Sequence, residues 1–119
     1  MKQKQAVLIY HNPRCSKSRA TLELLRQHGM EPTIVDYLTT PPDPRTLQHI
    51  LDLLGMTPRE LMRKKESPYA AGRLDNPKLS QQELLLAMIK DPILIERPVV
   101  LANGRAALGR PPENVLRIL

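Results

Sequence analysis

Ala6-Val7-Leu8-Ile9-Tyr10-His11-Asn12-Pro13-Arg14-Cys15-Ser16-Lys17-Ser18-Arg19 carries the chain from one periodicity to another. Its first five residues are continuously apolar and predict a short strand buried on both faces. From Arg19 to His28 the apolar positions recur at helical spacing. At the junction stands Cys15, the only cysteine in the sequence. A thiol at a helix N-terminus faces orphan backbone N–H groups and the positive end of the helix dipole. Arg14, Lys17 and Arg19 add cationic side chains nearby in sequence. Both effects favour thiolate, so the free-cysteine pKa of about 8.5 is expected to fall. A buried structural cysteine would instead sit inside an apolar run, whereas this one is flanked by Arg14 and Ser16.

Working outward, the helix ends at His28-Gly29, with Gly29 as the residue after the cap. Thr33 to Leu38 reads as a second strand. Strand, helix and strand joined by short links form a βαβ unit, which predicts parallel strands and a right-handed crossover. Thr39-Thr40-Pro41-Pro42 breaks the chain. Asp43 then caps a helix with Pro44 at its first position, and Leu47, Ile50, Leu51 and Leu54 form an apolar stripe closed by Gly55. Thr57-Pro58-Arg59-Glu60 is a capping box opening a short helix through Arg63. Residues 64–78 are polar and broken by Pro68, Gly72 and Pro77, leaving room for a turn or two of helix. Ser80-Gln81-Gln82-Glu83 is a second capping box, before a helix carrying Leu84, Leu85, Met88 and Ile89 and closed by Asp91-Pro92.

Pro98 to Leu101 and Arg105 to Leu108 flank Asn103-Gly104, the strongest short hairpin signal a sequence offers. Arg110-Pro111-Pro112-Glu113 then opens a terminal helix with Val115, Leu116 and Leu119 on its apolar side. The order is β-α-β, a helical block at about 43–91, a β-hairpin and a last helix. A nucleophile just after the first strand of such a mixed α/β sheet is the thioredoxin-like layout with a helical insertion. We expect residues 1–119 to form one domain.

Composition narrows the classes. A chain of 119 residues, 41% hydrophobic and 25% charged, has ordinary globular composition. With no Phe or Trp, its core must be aliphatic. No apolar run reaches the roughly 18 residues of a membrane span. The run behind Lys2 and Lys4 is shorter than the about 7–15 residues of a signal peptide. One cysteine makes no internal disulfide, and a free thiol suits a reducing compartment, so a cytoplasmic location is expected. The net charge of +6 gathers around Cys15 and between Arg59 and Arg73, with acids interspersed. Without aromatic–basic interleaving it points away from nucleic acid and suits a small anion. No large apolar stripe is left over, so a monomer is expected.

His11, four residues before Cys15, is placed to exchange a proton with the thiol or to orient it; a loop histidine bonded to backbone is the alternative. His28 and His49 read as structural, and one Cys with three dispersed His offers no metal-ligand spacing. Arg19 makes a Cys-x3-Arg spacing, shorter than the Cys-x5-Arg of phosphatase anion loops. Ser18 stands where a Cys-x-x-Cys oxidoreductase keeps its second thiol, so an external thiol must resolve any mixed disulfide. Arg63, Arg97 and Arg110 stand out by position, the last two directly before prolines. Guanidinium forks pair bidentately with oxyanions. Pro98, opening a strand beside the loop, is the best candidate for a cis peptide.

The stretches YHNPRCSKSRATLELLR, EPTIVDYLTTPP, LGMTPRELMRKKE, DPILIERPVV and LGRPPENVL resemble the glutaredoxin-dependent arsenate reductase family, a thioredoxin-fold group. The resemblance runs from Leu8 to Leu119, and HNPRCSKSR is most similar to a branch named as reductases by similarity. It implies that Cys15 is the nucleophile in a His-x3-Cys-x3-Arg loop with His11 and Arg19. It implies that Arg63, Arg97 and Arg110 bind the oxyanion, with Pro98 cis. It also implies no bound cofactor, glutathione as co-substrate and glutaredoxin as partner in reducing arsenate to arsenite through a covalent Cys15 adduct. Two other readings stay open. One is a glutathione-linked thiol oxidoreductase with no arsenate role. The other is a redox-blind adaptor on RNA polymerase, since a relative of the family is a regulator with a Cys-x-x-Cys switch that Ser18 removes here.

Overall fold

In the computed structural model the described residues are 6–119, and they divide into two compact units. The first takes in the described residues up to Thr40 together with Arg97–Leu119. It holds β1 (Val7–His11), α1 (Ser16–Gln27), β2 (Thr33–Asp36), β3 (Val99–Ala102), β4 (Arg105–Leu108) and a C-terminal 3₁₀ segment, Pro112–Ile118. The sheet order is β2-β1-β3-β4. β1 and β2 run parallel, with Leu8 opposite Thr33 and His11 opposite Asp36. β3 is antiparallel to both β1 and β4. This mixed sheet, with a helix after its first strand, is the thioredoxin-like arrangement expected from the order of elements.

Alternation along the strands decides which side chains meet α1. Val7 and Ile9 of β1 and Val100 and Ala102 of β3 share a core with Leu22 and Leu25 of α1 and with Val115 and Ile118. Leu25 is fully buried, a placement that contributes on the order of 1.5–3 kcal/mol relative to exposure. α1 ends as its sequence requires: Gly29 has a φ of 78° and donates to the Arg26 carbonyl. The β3–β4 turn has positive φ at both Asn103 (55°) and Gly104 (69°), the paired left-handed geometry that matches strand twist.

Beyond shifts of one to three residues at the starts of β1, α1 and β3, three features differ from the sequence reading. β2 stops at Asp36, two residues early. Asp36 accepts the Leu38 N–H through Oδ1 and the Thr39 and Thr40 N–H groups through its carbonyl, which folds the chain into a turn. The C-terminal segment is 3₁₀ rather than α. Its period of three turns Val115 and Ile118 into the core, while Leu116 and Leu119 are only partly buried. The helix after Thr57 ends at Leu61, so Arg63 lies beyond it.

The second unit, Pro41–Glu96, is helical. It comprises α2 (Pro44–Leu54), α3 (Pro58–Leu61), α4 (Ser67–Ala71), α5 (Gln81–Lys90) and a 3₁₀ turn, Pro92–Leu94. Its helices start where side chains satisfy the first N–H groups. Asp43 accepts from Thr46, and both Thr57/Glu60 and Ser80/Glu83 form reciprocal capping boxes. α5 packs on α2, α3 and the 3₁₀ turn, and Leu47, Ile50, Leu51, Leu61, Leu84, Leu85, Met88 and Leu94 are buried. A β-bridge between Met62 and Ile95 draws residues after α3 into extended backbone, which is why α3 is cut short. Among the described residues no helix is long and apolar enough to cross a membrane.

Candidate active site

His11 is the last residue of β1, and Cys15 is the N-cap of α1 with an extended backbone (φ −94°, ψ 123°). Between them Asn12 shapes the loop twice. Its carbonyl accepts the Cys15 N–H at 3.0 Å, and its side-chain Oδ1 accepts the Arg14 N–H at 2.9 Å. Asn12 is itself buried. Sequence reasoning passed over it, although Asn-Pro is a turn signal. Arg19 reaches back from α1, its Nη1 donating to the Pro13 carbonyl at 2.9 Å. The loop is therefore clamped from both ends before any substrate is considered.

The Cys15 side chain is half-buried. Burial alone would push its thiol pKa up. The Ser18 N–H, the Arg97 side chain, the Lys17 N–H and the Arg97 charge all favour thiolate, and together they bring it below the usual cysteine value. The cations flagged by nearness in sequence, Arg14 and Arg19, are not among these causes. The guanidinium that matters is Arg97, 82 positions away in the sequence and invisible to local reading.

His11 and Ser18 are tied together. His11 Nδ1 lies 2.6 Å from Ser18 Oγ, and the same oxygen accepts the Asn12 N–H at 3.0 Å. Ser18 is fully buried and His11 nearly so. Burial pushes the His11 pKa down; Asp36 opposes that, and the charges of Arg19 and Arg26 reinforce it. Burial thus disfavours the charged form of His11, which stands at the end of a strand, not in the loop where the sequence reading put it.

Arg97 and Arg110 come together in the same unit, where Arg110 Nη1 donates to the Arg97 carbonyl at 3.2 Å. The Arg97–Pro98 bond is cis, and so is Arg110–Pro111, which the sequence reading did not single out. Gly109 lies against Pro98. Its N–H donates to the Pro98 carbonyl at 3.0 Å, and its Cα faces Thr21 and the Pro98 ring so closely that a Cβ there would collide with Thr21 Oγ1. Arg63 belongs to the other unit. There its Nε meets Glu66 at 3.2 Å and its Nη1 meets Glu96 at 2.6 Å, which raise its pKa against the opposing effect of burial. Among the described residues no cluster of three His, Cys, Asp or Glu side chains is placed to hold a metal ion.

Residues 10–118 match the ArsC family. The chain belongs to this family. Among relatives of this ArsC-family chain, an arsenate reductase of Neisseria meningitidis serogroup A is 50% identical over 95% of this chain and 97% of its own. The Escherichia coli K12 protein named uncharacterized protein YfgD is 55% identical over 95% and 96%. An arsenate reductase structure from Vibrio cholerae superposes with a TM-score of 0.96 at 47% identity, covering 98% of this chain and all of that one.

Proposed function

We propose that this ArsC-family chain reduces arsenate to arsenite, with Cys15 as nucleophile and glutathione as co-substrate. The observation that carries the reading is the Cys15 thiol, favoured as thiolate by the Ser18 and Lys17 N–H groups and by Arg97. Family membership and relatives named arsenate reductase support the choice of arsenate.

The thiolate attacks arsenic, and an arsenate oxygen leaves as water after protonation, giving a Cys15 S–As(V) bond. Arg97 and Arg110 supply positive charge to the oxyanion while Arg97 also faces the sulfur. Arg63 enters the reading from the sequence alone. Glutathione thiolate then attacks the Cys15 sulfur. The S–As electron pair passes to arsenic, which becomes As(III) and leaves as arsenite, and the two sulfurs are left as a mixed disulfide. Glutaredoxin restores Cys15 by thiol exchange. Two electrons reach arsenic, one from each sulfur, because this chain holds a single thiol. Ser18 occupies the position from which a second would have come. Reliance on glutathione places the reaction in the cytoplasm.

The test is NADPH consumption with arsenate, glutathione, glutaredoxin and glutathione reductase, comparing wild type with Cys15→Ser. We expect turnover to vanish in the variant. Arsenate-dependent turnover that survives Cys15→Ser would sink the mechanism. A glutathione-linked oxidoreductase with no arsenate role needs Cys15 and the Arg97 that favours its thiolate, but not Arg110. Arg110→Lys separates it, since lysine keeps charge but loses the fork.

A further inference from the structure

We propose that Ser18 is a positioning residue that holds His11 as the neutral imidazole carrying its only proton on Nε2. The inference deepens the reading of Cys15 as nucleophile and rests on it for its catalytic meaning, but its geometry stands alone.

The argument is an accounting of one hydroxyl. Ser18 is fully buried, so water does not complete its hydrogen bonds. Its oxygen already accepts the Asn12 N–H at 3.0 Å. A helical serine or threonine often gives its proton to a backbone carbonyl three or four residues back, as Thr21 does to Lys17. Ser18 has no such bond; its one further partner is His11 Nδ1 at 2.6 Å. The hydroxyl has a proton to give and Nδ1 is the acceptor in reach, so Nδ1 is bare and the ring proton sits on Nε2. The opposite tautomer would leave the Ser18 O–H buried and unsatisfied, an arrangement that folded proteins avoid. The charged groups bearing on the ring are Asp36, opposite it in the sheet, and Arg19 and Arg26 on α1.

Ser18 thereby serves the site through three of its atoms. Its backbone N–H faces the Cys15 sulfur, its oxygen holds the Asn12 N–H at the loop, and its hydroxyl proton sets the histidine. The position where a dithiol protein keeps a second sulfur is filled here by a group that orients. It also follows that His11 does not take the Cys15 proton through Nδ1; any proton it exchanges passes through Nε2.

Nitrogen-15 NMR of the imidazoles tests this in the full chain at neutral pH, with His28 and His49 assigned from a His11→Gln variant. In wild type, His11 Nδ1 should resonate as an unprotonated, pyridine-type nitrogen and Nε2 as a protonated one. Ser18→Ala should move both toward the averaged shifts of a free imidazole, and Ser18→Thr, which keeps the hydroxyl, should restore the pattern. A proton found on Nδ1 in wild type overturns the proposal without reference to any variant's folding. A pattern unchanged in folded Ser18→Ala overturns it too. The readout needs no arsenate, so failure of the reductase reading and failure of this one are separate results.

Discussion

The Arg110 guanidinium donates to the backbone carbonyl of Arg97 at 3.2 Å. One arginine thus steadies the segment that aims the other at Cys15. Because the Arg97 bond and charge both favour thiolate, Arg97→Ala should raise the Cys15 pKa and slow alkylation at neutral pH. Thiolate absorbance followed against pH measures it. On the proposed reaction the same variant should lose about 10²–10³-fold in turnover, the usual cost of removing an oxyanion donor. A thiol pKa that does not move would remove Arg97 from the thiolate's surroundings.

Gly109→Ala should destabilise the chain by about 1–3 kcal/mol, the range for overpacking a filled site. A Cβ there would collide with Thr21 Oγ1 and come within 2.7 Å of the Pro98 ring. Thr21→Ala removes the hydroxyl and methyl from that contact. The double variant should therefore recover part of the loss in a urea-denaturation cycle. Strict additivity of the two changes would show that the contact is not the cause.

His11 makes a pH prediction with a definite sign. Burial lowers its folded-state pKa below that of the unfolded chain. As pH falls, the unfolded chain takes up the proton first. The stability that His11 contributes is therefore fully present above about pH 6.5 and is lost as pH falls through the folded value. His11→Gln should flatten urea-midpoint stability between about pH 7 and 5 relative to wild type. An equal slope in both proteins would contradict the assignment.

Ser80 accepts the Glu83 N–H at 3.1 Å, and Glu83 returns a bond to the Ser80 N–H at 3.1 Å. Ser80→Ala should cost about 0.5–2 kcal/mol, as N-cap deletions do, and Ser80→Asp should restore most of it. Thermal unfolding of the two variants measures both effects. Equal melting temperatures for wild type and Ser80→Ala would mean that α5 is held by packing alone.

What could be read from residues alone has a common physical character. The Asp43, Thr57 and Ser80 caps, the Gly29 and Gly55 helix stops and the Asn103-Gly104 turn are hydrogen bonds or backbone conformations that close within a few residues. Neighbouring side chains therefore determine them. The same locality made Cys15 legible as a thiol at a helix N-terminus, and the structure makes it the N-cap of α1.

The site's electrostatics and fit are not of that kind. Thr21 meets the Gly109 carbonyl 88 positions away. The cation beside Cys15 is Arg97 rather than a sequence neighbour, and Arg63 is matched to Glu66 and Glu96, which the sequence reading did not pair with it. Sequence by itself determined where the lone cysteine stands and that no second thiol accompanies it. Tertiary structure decided what surrounds it, because a charge acts by distance in space. A buried hydroxyl likewise finds its partner only once strand β1 and helix α1 have packed.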